Sequence, residues 1–255
     1  MNTQAKKFGV MYLLTGLIGL ALIISTYFMS MWWVALQSHQ YPKSMYPKGI
    51  RILFHYNGVY NGCEGVRERE ELAMDAGADC LIEMNKINHF IGMFPIVQGV
   101  NDIDELGNHV PYPVYAGDKI PPEEIPTPLK TLDKIMRNAH YAFIFLALLG
   151  ILFLVVPKKK LSWLAIIVSL TPFYFLGIYI YYLWWYGHHL GLHGGGAFSG
   201  IKPFMPTVFG EGKVAQFTTS SYPDTGFIVG LIGTILLLVS IAFKNKFVKL
   251  NKSAS

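Results

Sequence analysis

The chain of 255 residues is 52% hydrophobic and only 15% charged, so its composition excludes an ordinary soluble domain and favours a membrane protein. The formal net charge of +5 comes from lysines that gather beside long apolar runs. We therefore interpret this charge as a signal of membrane topology, and we expect no binding to nucleic acid.

Four long apolar runs lie along the chain, and none contains Asp, Glu, Lys or Arg. About 20 apolar residues cross a bilayer as a helix. The first run is much longer than the roughly 7–15 residues of a signal-peptide core, which indicates a retained signal anchor. The sequence predicts four transmembrane helices, at residues 8–36, 139–156, 161–187 and 226–243.

Positive charge is concentrated on one side of these helices. All sixteen acidic residues fall in 37–140 and 188–225. Because cytoplasmic loops carry an excess of Lys and Arg, both termini and the turn at 157–160 are predicted to be cytoplasmic. The nine lysines on that side, with no acidic residue among them, are Lys6, Lys7, Lys158, Lys159, Lys160, Lys244, Lys246, Lys249 and Lys252.

The segment 37–138 is too long for a simple connection between neighbouring helices, so it predicts a small outer domain. A β-like run at 50–56 and helix-forming stretches at 64–94 and 127–141 give this domain mixed character. The glycine-rich segment 188–225 predicts a second outer loop on its surface. The expected fold class is an all-α membrane protein with four transmembrane helices and a small mixed α/β extracytoplasmic domain.

The two cysteines, Cys63 and Cys80, both lie in the predicted outer domain. Two cysteines 17 residues apart in an oxidising compartment indicate a disulfide that stabilises by about 3 kcal/mol. Catalytic thiols and a metal site remain alternatives. The absence of C-x-x-C-H from the sequence excludes a c-type haem.

Histidines are the candidate site residues, because all eight fall on the predicted outer side or at its boundary. His189 and His193 would share one face of a helix that continued to Leu192, and this spacing can chelate copper or zinc. His188 would lie on a different face of that helix. His140 begins the second predicted span at the same depth, so adjacent helix ends would bring it near His188 or His189.

These four histidines allow several interpretations. Two axial imidazoles would hold a b-type haem, a copper site would add a methionine, and a quinol site would need a histidine to accept a proton. Alternatively, the histidines form only hydrogen bonds at helix ends. The sequence contains no G-x-S-x-G, Walker A or H-E-x-x-H motif.

Two outer stretches carry a resemblance, HFIGMFPI (89–96) and GHHLGLHGGGAFSGIKPFMPTVFGEG (187–212). With the four predicted helices, they resemble the integral membrane protein encoded in nitrous oxide reductase gene clusters of the type with a c-haem-bearing reductase. The resemblance covers most of the chain and identifies no functional residue. It implies a multi-pass protein of the bacterial cytoplasmic membrane that supports periplasmic nitrous oxide reduction by electron delivery, copper-site maturation or anchoring.

From these observations we expect an accessory protein of a periplasmic respiratory metalloenzyme, with a supporting role and no catalysis of its own. Its expected partners are the lipid bilayer and other membrane or periplasmic proteins of a respiratory system. One alternative is a redox-active subunit that oxidises quinol through a histidine-ligated haem or metal. The other is a structural membrane scaffold.

Overall fold

The computed structural model describes residues 3–44, 46–63, 80–97, 120–121, 123–193, 202–214 and 216–252. The chain divides into two compact units. The helix unit comprises Met1–Met29, Ala139–Leu176 and Thr225–Ser255. The sheet unit comprises Ser30–Asn138 and Gly177–Asp224.

Helices occur in both units, and strands only in the sheet unit, over the residues that are described. The helices are α1 Thr3–Ser25, α2 Cys80–Phe90, α3 Thr127–Arg137, α4 Ala139–Val155, α5 Ser162–Ser169, α6 Thr171–His188 and α7 Thr225–Lys252. The strands are β1 Trp32–Gln37, β2 Ile50–His55, β3 Gly58–Asn61, β4 Gly210–Val214 and β5 Phe217–Pro223.

Within the described residues, three helical stretches are long and apolar enough to cross a membrane: Thr3–Phe28, Lys159–His188 and Thr225–Lys252. The predicted second span corresponds to α4, which has only 17 residues and is bent by 52° from α3. Helices α3 and α4 are long enough for a fourth span only if they are counted together as one broken helix. The predicted count of four is therefore wrong for single continuous helices, because the residues that precede α4 form a separate amphipathic helix.

The first helix ends earlier than the sequence predicts. Apolar character continues to Leu36, but the helical backbone ends at Phe28 and residues from Trp32 form strand β1. The reason is pairing with distant strands: Val34 is opposite Ile52 of β2 on one side and Ser221 of β5 on the other. Hydropathy alone did not distinguish a buried strand from a continued helix.

The sheet unit is organised around one antiparallel sheet of five described strands, in the order β3-β2-β1-β5-β4. Strand β2 lies within the β-like run at 50–56. The predicted outer loop at 188–225 contains a hairpin of β4 and β5, which joins the rest of the sheet through the pairing of β5 with β1. Strand β5 of this hairpin, which pairs with the central strand β1, contains Phe, Thr and Tyr, residue types that favour strands.

Tyr179 of α6 packs on one face of this sheet, with its ring centroid 5.4 Å from that of Trp32 and 5.1 Å from that of Phe54. Alternate residues of β1 and β2, among them Val34 and Ile52, are buried on this face. Cys80 at the start of α2 is also fully buried and forms the predicted disulfide with Cys63, with 5.7 Å between the two Cα atoms. The Sγ of Cys80 accepts a hydrogen bond from the backbone N of Arg51, which fixes α2 against β2. Residues 64–79, where the predicted helix begins, lie outside the described residues.

The helix unit depends on close approach of α1 and α7. A Cβ on Gly19 would lie 3.0 Å from the carbonyl oxygen of Gly233. A Cβ on Gly233 would likewise lie 3.0 Å from the carbonyl oxygen of Gly19. Small residues at such crossings allow helix backbones to pack closely in an apolar medium. Ser240 of α7 also donates a hydrogen bond to the carbonyl oxygen of Tyr12 in α1, at 2.8 Å.

A fully buried lysine lies in the same unit. Lys244, directly after the predicted fourth span, belongs to α7, and its Nζ donates to the carbonyl oxygen of Phe153 near the end of α4. The same Nζ lies 4.0 Å from the centroid of the Phe153 ring. The hydroxyl of Tyr12 donates to the carbonyl oxygens of Phe153 and Leu154. These contacts satisfy carbonyl groups that a helix end leaves without partners in the helix.

Candidate functional site

Three of the four candidate histidines, His188, His189 and His193, lie at or just after the C-terminal end of α6, in the sheet unit. The helix ends at His188. Nδ1 of His188 lies 2.9 Å from the carbonyl oxygen of Trp184, and Nδ1 of His189 lies 2.8 Å from that of Trp185. Because a carbonyl oxygen only accepts, each Nδ1 carries the proton and donates. Both imidazoles therefore hydrogen-bond the last turn of α6, as the simplest interpretation of the sequence expected.

Aromatic rings fix these two histidines further. The His188 ring stacks on Trp184 with 4.7 Å between centroids, and the His189 ring stacks on Trp185 at 4.6 Å. Each histidine thus forms a ring contact and a hydrogen bond with the residue four positions before it. Their orientation is set by the tryptophans of the last helical turn.

His193 does not share a helix face with His189. The helix has already ended, and Gly191 has φ of +77°, a left-handed conformation that a glycine adopts readily. The predicted chelate of His189 and His193 required the helix to continue to Leu192, and that premise is wrong. Metal, haem and quinol roles for these histidines stay predictions.

His193 instead faces the loop that follows α2. Its ring stacks on Phe94, with centroids 5.2 Å apart and an interplanar angle of 29°. It also meets the ring of His89 edge-on, with centroids 5.5 Å apart and an angle of 77°. His89 was not predictable as a site residue, because nothing in the spacing of the sequence connects it with His193.

One backbone hydrogen bond joins the loop after α6 to the loop after α2: Gly191 N donates to the carbonyl oxygen of Gly92 at 2.6 Å. Where α2 leads into the second of these loops, Met93 N donates to the carbonyl oxygen of Asn88 at 2.7 Å. The Tyr186 hydroxyl donates to the carbonyl oxygen of Pro95 at 2.9 Å. The loop after α2 and the loop after α6 are thus held at a fixed separation.

A buried hydrogen-bond network fixes the middle of α6 on the sheet. Ser221 Oγ donates to the carbonyl oxygen of Val208 at 2.8 Å. The same oxygen accepts from Trp32 Nε1 at 2.9 Å and lies 3.0 Å from the Tyr179 hydroxyl. Since the serine proton is already used, Tyr179 must donate, and one oxygen serves three partners.

His140 belongs to the other unit. It lies at the start of α4 in the helix unit, exposed to solvent, with its ring centroid 3.9 Å from that of Tyr141. His188, His189 and His193 belong to the sheet unit. A site that combines His140 with any of them stays a prediction.

No group of three or more His, Cys, Asp or Glu side chains suited to a metal ion occurs in the part of the chain that the structure describes. The glycine run at 194–196 and His109 lie outside that part. No family model, curated protein or solved structure matches the chain. Any function must therefore be argued from its own residues.

Proposed function

We propose that the protein is a multi-pass membrane accessory protein that holds its sheet unit on the outer side of a bacterial cytoplasmic membrane and supports a periplasmic respiratory metalloenzyme there. The proposal combines three elements: a helix unit in the bilayer, both termini in the cytoplasm and a disulfide-containing unit outside. Each has separate support.

The orientation is supported by the position of the lysines, which is the observation that carries the proposal. The start of α1 lies beside the end of α7, with the Phe8 and Phe243 ring centroids 6.2 Å apart and Lys246 Nζ 5.3 Å from the Phe8 ring. The end of α4 meets the same region through the bond from Lys244 to Phe153. The lysines next to these three helix ends therefore gather at one end of the helix unit, as the positive-inside rule requires.

A bilayer location is supported by the outward face of the helix unit. Large apolar side chains are more than half exposed on α1, α4 and α7, where a water-soluble bundle would bury or replace them. Lipid tails would cover these side chains at no cost in desolvated polar groups. Examples are Leu14, Leu17, Ile144, Phe145, Leu148, Ile228 and Ile235.

The outer location of the sheet unit is supported by the Cys63–Cys80 disulfide, since such bonds persist in oxidising compartments. The connection to a respiratory metalloenzyme, with nitrous oxide reduction as the first system to test, rests on the resemblance of 89–96 and 187–212. These two stretches contact each other through Gly92 and Gly191. A function shared by both stretches would therefore act at one place on the protein.

The orientation is tested with a reporter enzyme that is active only in the periplasm. Fusion after Gly107 should give activity, whereas fusion after Lys159 or at Ser255 should give none. Activity after Lys159 would reverse the orientation and refute the proposal. The Gly107 fusion is the positive control for export.

The respiratory role is tested by deleting the gene in its native host. We expect loss of anaerobic nitrous oxide consumption and normal growth with oxygen, both restored by the wild-type gene. Unchanged nitrous oxide consumption would refute this part of the proposal. An optical spectrum of the purified chain tests the rival class, because a reduced Soret band would assign a quinol-oxidising haem subunit instead.

A further inference from the structure

The contact between His89 and His193 joins two imidazoles from distant parts of the chain. We propose that these two residues are the protein ligands of a divalent late transition-metal ion, zinc or copper. Imidazole nitrogen is a preferred ligand of both metals. The site is independent of the proposed respiratory function and differs from the pair that the sequence predicted, His189 and His193.

The separation of the two rings matches a shared ion. A metal–nitrogen bond of about 2.0–2.1 Å places the ion roughly 3.2 Å from the centre of an imidazole ring. Two rings on one tetrahedral ion then have their centres about 5.2 Å apart. The centroids of His89 and His193 are 5.5 Å apart, and their planes are nearly perpendicular at 77°.

The surroundings hold both rings in place before an ion arrives. His193 stacks on the buried ring of Phe94, and His89 is on the last turn of α2. The bond from Gly191 N to Gly92 O joins the two loops directly. Ligand positions fixed by their supporting structure lose less conformational entropy when the metal binds.

This histidine pair fills only part of the coordination shell of a metal ion. Both rings are half-buried. Two protein ligands leave at least two tetrahedral positions for water or for a donor atom of a bound partner. This arrangement favours an exchangeable ion over a closed structural one, since structural zinc sites use four protein ligands.

The test is metal titration of the full chain, purified in detergent without a histidine tag. Zinc, followed by calorimetry, should bind at one ion per chain. Copper(II), followed by electron paramagnetic resonance, should show hyperfine coupling to two imidazole nitrogens. His89→Phe and His193→Phe keep an aromatic ring in each contact and remove the nitrogens, so each should raise Kd at least tenfold, and the double variant should abolish stoichiometric binding.

Two further variants separate this site from other histidines. His39→Ala removes an exposed histidine far along the chain from both loops and should leave Kd unchanged. His189→Ala tests the pair predicted from spacing. The proposal is overturned if wild-type protein binds no stoichiometric ion, if the double variant binds as tightly as wild type, or if His189→Ala removes binding and His89→Phe does not.

Discussion

The helix unit and the sheet unit are stabilised in different ways. In the helix unit, α1 and α7 pack at Gly19 and Gly233, and large apolar side chains remain on the outside. In the sheet unit, strands pair edge to edge, a disulfide joins Cys63 to Cys80, and Ser221 connects three partners. The first unit depends on backbone proximity, and the second depends on covalent and polar bonds. Substitutions should therefore weaken one unit at a time.

Removal of the disulfide should have the largest effect and should be confined to the sheet unit. Cys63→Ser should lower the free energy of unfolding of this unit by about 3 kcal/mol, because the unfolded chain regains the freedom that the cross-link removes. Urea unfolding followed by tryptophan fluorescence measures this loss, and Cys80→Ser should reproduce it. Alkylation of both thiols in the native wild-type protein without a reductant would contradict it.

Loss of the serine hydroxyl should weaken the sheet unit by a smaller amount. Ser221→Ala leaves Trp32 Nε1 and the Tyr179 hydroxyl buried without their acceptor, which should cost about 2 kcal/mol. Ser220→Ala is the matched control, because the neighbouring serine faces the other side of the sheet. The same urea titration compares the two, and equal losses would show that the three-partner network adds nothing.

A methyl group at the helix crossing should weaken the helix unit alone. Gly19→Ala places Cβ against the backbone of α7 and should cost about 1 kcal/mol after the gain in helix propensity. In α6, Gly177→Ala meets no atom within 4 Å and should stabilise its helix by about 0.5–1 kcal/mol. Unfolding by dodecyl sulfate in mixed micelles measures both. A stabilising effect at position 19 would refute the close approach.

Acid should produce the smallest effect, again in the sheet unit. Burial lowers the pKa of His55 below its ordinary value, and the Asp224 carboxylate partly offsets this shift. The unfolded chain therefore takes up a proton near pH 6.5, before the folded protein does. The stability that His55 contributes is present above that pH and is lost as the pH falls below it.

His55→Phe should reduce this dependence while it keeps the ring contact with Tyr60, whose centroid is 4.6 Å away. Urea midpoints at pH 7.5 and pH 5.0 give the comparison. The wild-type midpoint should fall more than that of the variant. If the urea midpoints of the wild type and the variant fall by the same amount, groups other than His55 cause the acid sensitivity.

Features that depend on local composition were predictable from the sequence. Long apolar runs located α6 and α7, and compartment chemistry predicted the bond between Cys63 and Cys80, which the structure contains. The predicted length of α1 was wrong because the uncharged apolar run of the sequence continues through Trp32 to Leu36. Only its pairing with β5, far along the chain, makes this stretch a strand.

The candidate site shows the same limit. Hydrogen bonds from His188 and His189 to the last turn of α6 follow from position alone, since a helix end offers carbonyl acceptors. The contact of His193 with His89 requires the end of α2 to lie beside the segment after α6, and no local sequence pattern predicts that contact. Lys244 was assigned to the tail for a similar reason, because its partner Phe153 lies on another helix.

The place of β1 at the centre of the sheet has a consequence for biosynthesis. Its two neighbours are β2, made soon after it, and β5, made just before the last helix. Until the ribosome has delivered β5, one edge of β1 presents unpaired N–H and C=O groups, and exposed edges of this kind recruit other chains. The nascent protein therefore passes most of its synthesis with an open edge, and a chaperone that covers extended segments would protect it during that interval.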